Sequence, residues 1–541
     1  MSRFLRLFEP LSRNCGSWTK KLAEGPSLEA FIANSSVPRE NYDPTEVPYL
    51  IDESAQLKKV FFEVYGCQMN VNDTEIVWSI LKKKGYERVL NHNAANVVLI
   101  MTCSIREGAE QKIWRRLQDL RKHKQRRDLQ VGVLGCMAER LKTQLLEKEK
   151  SVDVVAGPDS YRDLPRLLET ASGGQAGVNV QLSLDETYAD VTPVRLDERR
   201  KTAFVSIMRG CNNMCTYCIV PFTRGRERSR PMNSILDEVR HLSLNGVKEV
   251  TLLGQNVNSY RDMSEESHPF IRFTDVGLAK GFKSKCKLRS GGLGFADLLH
   301  QVAEVDPEMR VRFTSPHPKD FPDEVLQVIS SHKNICNHIH LPAQSGSTRV
   351  LDLMGRGYTR EDYLTLVDTI YKFMPNVSLT SDFITGFCGE TEDEHQMTLS
   401  LVEQVGYTFC YAFPYSLREK TRAHRRLEDD VPLEDKKRRA IEILEVFRRK
   451  AKLKFEKQIG DIQTVLVEGE SKRSTEELFG RNEGNTKVII ANEVGGERIH
   501  PGEYVSVRIT NCSSQTMIGE VLRKTSLQSS TDEEEKRQMI L

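Results

Sequence analysis

Short apolar runs alternate with longer amphipathic stretches through most of the chain. Residues 59–65, 95–101 and 129–134 are each rich in Val, Ile, Leu or Phe, with helical stretches at 72–84 and 107–122 between them. Strand and helix alternating at this spacing predict a parallel sheet with right-handed crossovers. The glycine-rich stretch 171–177 reads as a boundary. A second alternation begins near Ala203. Strand candidates lie at 203–208, 249–254, 311–315, 338–341, 377–384 and 409–413, and helices at 233–244, 295–304, 360–373 and 392–403. Six βα units predict a partial barrel, with functional residues at the C-terminal ends of its strands.

The stretch 261–294 breaks the pattern with Gly, Lys and Ser and reads as an inserted surface loop. A charged helix at 433–458 follows Pro432, its basic residues alternating with Ile, Leu and Phe as in an amphipathic helix packed on the barrel. Short strands at 463–468, 487–490, 504–509 and 517–521, punctuated by Gly480, Gly484, Gly495, Gly496, Pro501 and Gly502, predict a small antiparallel β-barrel. The fold class is therefore α/β in three parts: an N-terminal parallel-sheet domain at 58–172, a central partial (βα)6 barrel at 195–455 carrying the 261–294 insert, and a small β-barrel at 459–525. Residues 1–57 read as a presequence and linker, and the polar tail 526–541 as disordered.

Composition narrows this. The 541 residues are 39% hydrophobic and 28% charged, as in a globular chain with cores of its own. No apolar run reaches about 18 residues, which argues against a membrane span. A net charge of +2 excludes a globally basic nucleic-acid binder and leaves a local basic face open. Residues 1–25 carry Arg3, Arg6, Arg13, Lys20 and Lys21 among Phe4, Leu5, Leu7 and Phe8. That pattern reads as a mitochondrial presequence, hence a matrix protein; the alternative is a basic tail on a cytoplasmic one. The 12 cysteines are sparse for a disulfide framework and suit metal or redox use in a reducing compartment.

Cys211, Cys215 and Cys218 form a C-x3-C-x2-C run directly after the strand at 203–208. Three thiolates on one loop converge on a single [4Fe–4S] cluster and leave one iron without a protein ligand. That iron can take the amino and carboxylate groups of S-adenosylmethionine (SAM), whose one-electron cleavage gives a 5′-deoxyadenosyl radical. A structural zinc site would want a fourth ligand nearby, and none stands at useful spacing. Cys67, Cys103 and Cys136 are far apart in sequence, yet each follows one of the three N-terminal strands. Ends of neighbouring parallel strands share the ligand-binding edge of a sheet. Gly66 and Gly135 would let the backbone come close there. Three buried, unrelated cysteines are the plainer alternative. A second open cluster suggests sulfur handling.

At these residues the chain resembles the methylthiotransferase family of radical SAM enzymes, over about 58–522. The marks are Tyr65-Gly66-Cys67-Gln68-Met69-Asn70, Thr102-Cys103-Ser104, Gly135-Cys136-Met137, residues 209–230, Leu253-Gly254-Gln255-Asn256, and residues 340–347 and 381–387. The arginine-rich run 221–230 resembles the branch acting on isopentenylated tRNA. The resemblance implies conversion of N6-isopentenyladenosine at tRNA position 37 to its 2-methylthio form. Cys211, Cys215 and Cys218 would hold the radical cluster, and Cys67, Cys103 and Cys136 an auxiliary [4Fe–4S] cluster. SAM would serve as methyl donor and radical source, and the small barrel would be an RNA-binding TRAM domain. A sulfur donor and a one-electron reductant, both unidentified, would be partners. Met101 and Cys388 stand where Asn and Pro are usual, and the insert is longer than typical. The competing readings are a methylthiotransferase of another substrate (a threonylcarbamoyl adenosine or a ribosomal protein residue) and a binding protein that regulates a kinase.

Other residues are candidates on placement. Tyr217, Gln255, Ser381 and Asp382 sit near strand ends as SAM or base ligands, with His340 and Gln344 beside them; structural hydrogen bonding is the alternative for each. Arg418, Arg422 and Arg425, after the last barrel strand, are candidate tRNA contacts. The basic stretch 115–127 suits phosphate contact or a solvated helix end equally.

Overall fold

The computed structural model describes residues 58–104, 107–264, 277–284, 291–472 and 474–529. The expected presequence and linker up to residue 57, Cys286 and the expected tail from residue 530 lie outside them.

Six parallel strands build the N-terminal sheet: β1 (Lys59–Val64), β2 (Glu87–Arg88), β3 (Val97–Thr102), β4 (Gln130–Gly135), β5 (Val154–Ala156) and β6 (Gly177–Asn179). Their order is β2-β1-β3-β4-β5-β6. The strands that precede the three N-terminal cysteines are thus immediate neighbours. β3 is buried along its whole length, because helices cover both faces of a parallel sheet. The glycine-rich stretch is not the end of this sheet, since β6 follows it and pairs with β5. Strands this short carry too little apolar pattern to be read from sequence.

The central unit opens with β7 (Thr202–Ser206) and continues with β8 (Glu249–Leu253), β9 (Arg310–Phe313), β10 (His338–His340), β11 (Ser378–Thr385) and β12 (Phe409–Pro414). All pairs are parallel, in two three-stranded halves, β7-β8-β9 and β10-β11-β12. A bridge between Val311 and Ile335 joins the halves. This is the open (βα)6 arrangement the periodicity predicts. The helix Leu433–Glu456 buries Ile443, Phe447, Ala451 and Phe455, and the Phe447 ring meets Phe409 of β12 edge-on at 5.6 Å.

The insert departs from a surface loop. Its ends pair, Arg261–Asp262 with Leu293–Gly294, and within it Ala279 and Phe282 are buried. The Phe282 ring lies 5.0 Å from that of Tyr358. Isolated apolar residues in a polar stretch have no period, so their burial was hidden.

The last unit is a closed barrel of β13 (Ile462–Glu470), β14 (Glu477–Arg481), β15 (Lys487–Ala491), β16 (Tyr504–Cys512) and β17 (Thr516–Thr525). It is not wholly antiparallel: β15 and β17 run parallel. Gly480, expected in a turn, lies inside β14 opposite Val467. The start of the tail is also ordered, with Leu527 buried and its N–H donating to Glu308. Among the described residues, no helix is long and apolar enough to cross a membrane.

Candidate functional site

Cys67, Cys103 and Cys136 each leave the C-terminal end of a strand, β1, β3 and β4 in turn. Two glycines make the close approach possible. Gly66 has φ +115°, and a Cβ there would lie 2.6 Å from Cys103 Cβ. Gly135 has φ +91°, and its Cβ would lie 2.8 Å from the Thr102 carbonyl oxygen. Asn70 ties the edge together, its amide donating to the carbonyls of Tyr65 and Thr102.

Cys211, Cys215 and Cys218 lie on the loop that leaves the barrel's first strand. The Gly210 N–H donates to Gln255 Oε1 at 2.6 Å, and the Cys211 N–H to the Gly225 carbonyl at 3.2 Å. Thr216 is gripped from the far half-barrel by the carbonyls of Leu353 and Met354. Arg356 reaches Cys215 Sγ at 3.6 Å while its Nη2 donates to the Pro342 carbonyl.

The donor chemistry fits clusters. Burial pushes the Cys136 thiol up to about 11 and the Cys218 thiol up to about 12, with like-charge repulsion from neighbouring cysteines adding to both. Three thiolates together in such a place need a metal centre to hold their charge.

The two cysteine sets are linked by charge. Asp73, on the helix Gln68–Lys83 that starts after Cys67, is fully buried. It faces Arg209 at 2.8 Å and Arg224 at 2.8 Å. Arg209 comes just before Gly210-Cys211, lies 3.7 Å from Glu186 and stacks 4.8 Å over the Tyr188 ring. Arg224 comes just after Cys218, and its Nε donates to Cys136 Sγ at 3.2 Å.

Most arginines of the arginine-rich run are internal. Arg224, Arg228 and Arg230 are buried, the last two against Asp159 and Glu238. Only Arg226 among the run's arginines is exposed. Ser381 fits the alternative of structural hydrogen bonding. It is fully buried, accepts from the Ala343 N–H and donates to the Leu341 carbonyl, so its hydroxyl is used by the backbone. Gln255 supports Gly210 in the same structural sense. Asp382 remains open: its Oδ1 is buried without a hydrogen-bond partner, and its Oδ2 lies 3.4 Å from His340 Nε2. Tyr217 is half-buried beside Phe387, its hydroxyl 3.5 Å from Arg356. Gln344 pairs with Phe383 at φ +72°. Arg418 lies 3.6 Å from Glu110 across the domain junction, and its Nε and Nη2 have no hydrogen-bond partner. Arg425 is exposed and Arg422 half-buried. In the 115–127 stretch, Arg116 pairs with Glu63 and Arg127 with backbone carbonyls, while Arg115, Arg121 and Lys122 are exposed. Asp73 and Arg356 carried no signal in one sequence, since neither stands in a pattern of its own.

A half-barrel whose first strand delivers a C-x3-C-x2-C loop defines a radical SAM protein. Family models agree: Uncharacterized protein family UPF0004 matches residues 59–157, the Radical SAM superfamily 205–402, and the TRAM domain 456–522. The chain is 56% identical to the Mus musculus protein named mitochondrial tRNA methylthiotransferase CDK5RAP1, over 95% of this chain and 90% of that one. It is 54% identical to a Caenorhabditis elegans CDK5RAP1-like protein over 87% and 86%. It is 49% identical to a Christiangramia forsetii tRNA-2-methylthio-N(6)-dimethylallyladenosine synthase over 86% and 94%. The chain belongs to the radical SAM methylthiotransferase family.

Proposed function

We propose that this chain converts N6-isopentenyladenosine at position 37 of tRNA to 2-methylthio-N6-isopentenyladenosine, as a mitochondrial enzyme of the matrix. The observation that carries the reading is the joining of two cysteine sets through one buried carboxylate, Asp73, held by arginines from the radical loop. Cys211, Cys215 and Cys218 would hold the radical [4Fe–4S] cluster, and Cys67, Cys103 and Cys136 the auxiliary one. When bound, these groups and SAM supply the methyl group, the sulfur attachment point and the radical that opens carbon 2 of adenine. The protein's own work is placement. Asn70 and Gly66 set the N-terminal edge, and Gln255 and Arg356 set the radical loop. The Asp382 carboxylate, whose Oδ1 has no hydrogen-bond partner, suits a polar group of SAM or the base. The C-terminal barrel and the exposed Arg226 and Arg425 suit the tRNA backbone. A sulfur donor and a one-electron reductant complete the partner set.

Mass spectrometry of nucleosides from mitochondrial tRNA of cells lacking the protein tests this. The reading expects isopentenyladenosine to accumulate and its methylthio form to vanish. An unchanged methylthio-isopentenyladenosine level would reject the substrate.

A further inference from the structure

Arg224 belongs to the radical loop by sequence and to the other cysteine set by contact. Its Nε donates to Cys136 Sγ at 3.2 Å. Its Nη2 donates to Asn70 Oδ1 at 3.2 Å and to Asp73 Oδ2 at 2.8 Å. Its Nη1 is buried and has no hydrogen-bond partner. The side chain is 4% exposed. A buried donor left unpaired is costly, so a bound acceptor at this edge would recover that loss. A guanidinium stays protonated at any working pH, so these donors are permanent. Arg356 at the other set differs: its Nε and Nη2 are taken by the Tyr358 hydroxyl and the Pro342 carbonyl, and none of its nitrogens is orphaned.

We propose that Arg224 is a positioning residue for the auxiliary cluster, fixing the Cys136 sulfur through Nε, leaving Nη1 to donate to the cluster, and so setting its reduction potential. This rests on the two-cluster reading above. Hydrogen bonds to the sulfurs and nearby positive charge favour the more negative, reduced cluster and raise its potential. Asp73 holds the guanidinium against Cys136 and, through Arg209, keeps it in register with the loop of Cys211.

The test uses the full chain with Cys211→Ala, Cys215→Ala and Cys218→Ala, reconstituted anaerobically, so that only the auxiliary cluster remains. Redox titration followed by electron paramagnetic resonance is then run on this parent, on Arg224→Gln and on Arg224→Lys. The expected result is a lower potential and an altered spectrum in Arg224→Gln, with a smaller shift in the same direction in Arg224→Lys, which keeps the charge but not the fork. Should Arg224→Gln fail to fold, Arg224→Lys decides: a shifted potential supports the role, and an unshifted one overturns it. Identical potentials in all three proteins overturn the proposal and leave the two-cluster reading standing. A parent with no cluster at all rejects that reading and the proposal with it.

Discussion

Arg209 Nη1 and Asp73 Oδ1 meet at 2.8 Å in full burial, one at the mouth of the half-barrel and the other on the first helix of the N-terminal sheet. Burial works against the Asp73 charge, but Arg209 and Arg224 outweigh it and hold the carboxyl below its usual range. Removing one partner of a buried pair leaves an uncompensated charge and costs about 3–5 kcal/mol. Asp73→Ala takes the shared carboxylate from two buried arginines at once, leaving Arg209 with Glu186 at 3.7 Å and Arg224 with no carboxylate. The expected outcome is a clear fall in the thermal midpoint of the full chain, together with loss of iron on reconstitution, read by scanning calorimetry and iron assay.

The arginine-rich run divides by burial. Arg228→Ala breaks its buried pair with Asp159 and is expected to destabilise by about 3–5 kcal/mol. Arg226→Ala removes an exposed side chain and is expected to leave the thermal midpoint unchanged. If Arg226 touches a phosphate, its loss lowers the salt dependence of tRNA binding by about one counterion. Binding isotherms at several salt concentrations check this.

Ser381 and Asp382 are neighbours with opposite duties. Ser381→Ala leaves the Ala343 N–H without its acceptor, at a cost of about 1–3 kcal/mol. SAM affinity of the folded variant is expected to match the parent. Asp382→Asn keeps the shape and removes the charge beside an orphaned oxygen, and weaker SAM binding is expected. Calorimetric titration of the reconstituted proteins separates the two.

The insert bears on the site through Phe282. Its ring packs on Tyr358, whose hydroxyl accepts from Arg356, which in turn reaches Cys215. Phe282→Ala opens a core cavity and is expected to cost about 3–5 kcal/mol. Unfolding curves measure that loss, and an unchanged midpoint would return the insert to the status of a surface loop.

Much of this was legible in the sequence because it is periodic. The strands before Cys67, Cys103 and Cys136 are apolar runs in a parallel sheet, and a run that ends in cysteine announces its own edge. The helix Arg360–Phe373 matches its expected bounds, and Thr359 and Asp362 form a capping box at its start. What stayed hidden is contact between segments far apart in sequence. The pairing of Asp73 with Arg209 and Arg224, the reach of Arg356 and the burial of Phe282 follow from three-dimensional closure. The arginine run shows the limit most sharply. Arg224 and Arg228 reach across to Asp73 and Asp159 of the N-terminal domain, Arg230 pairs with Glu238 of its own unit, and Arg226 is exposed.

The most direct test of the account is the iron and sulfide content of the anaerobically reconstituted chain, beside variants lacking either cysteine set. The account expects about eight irons per chain in the parent and about four after Cys67, Cys103 and Cys136 are replaced by alanine, or after Cys211, Cys215 and Cys218 are. A parent holding only about four irons, lost entirely with one set and untouched by removal of the other, would contradict it.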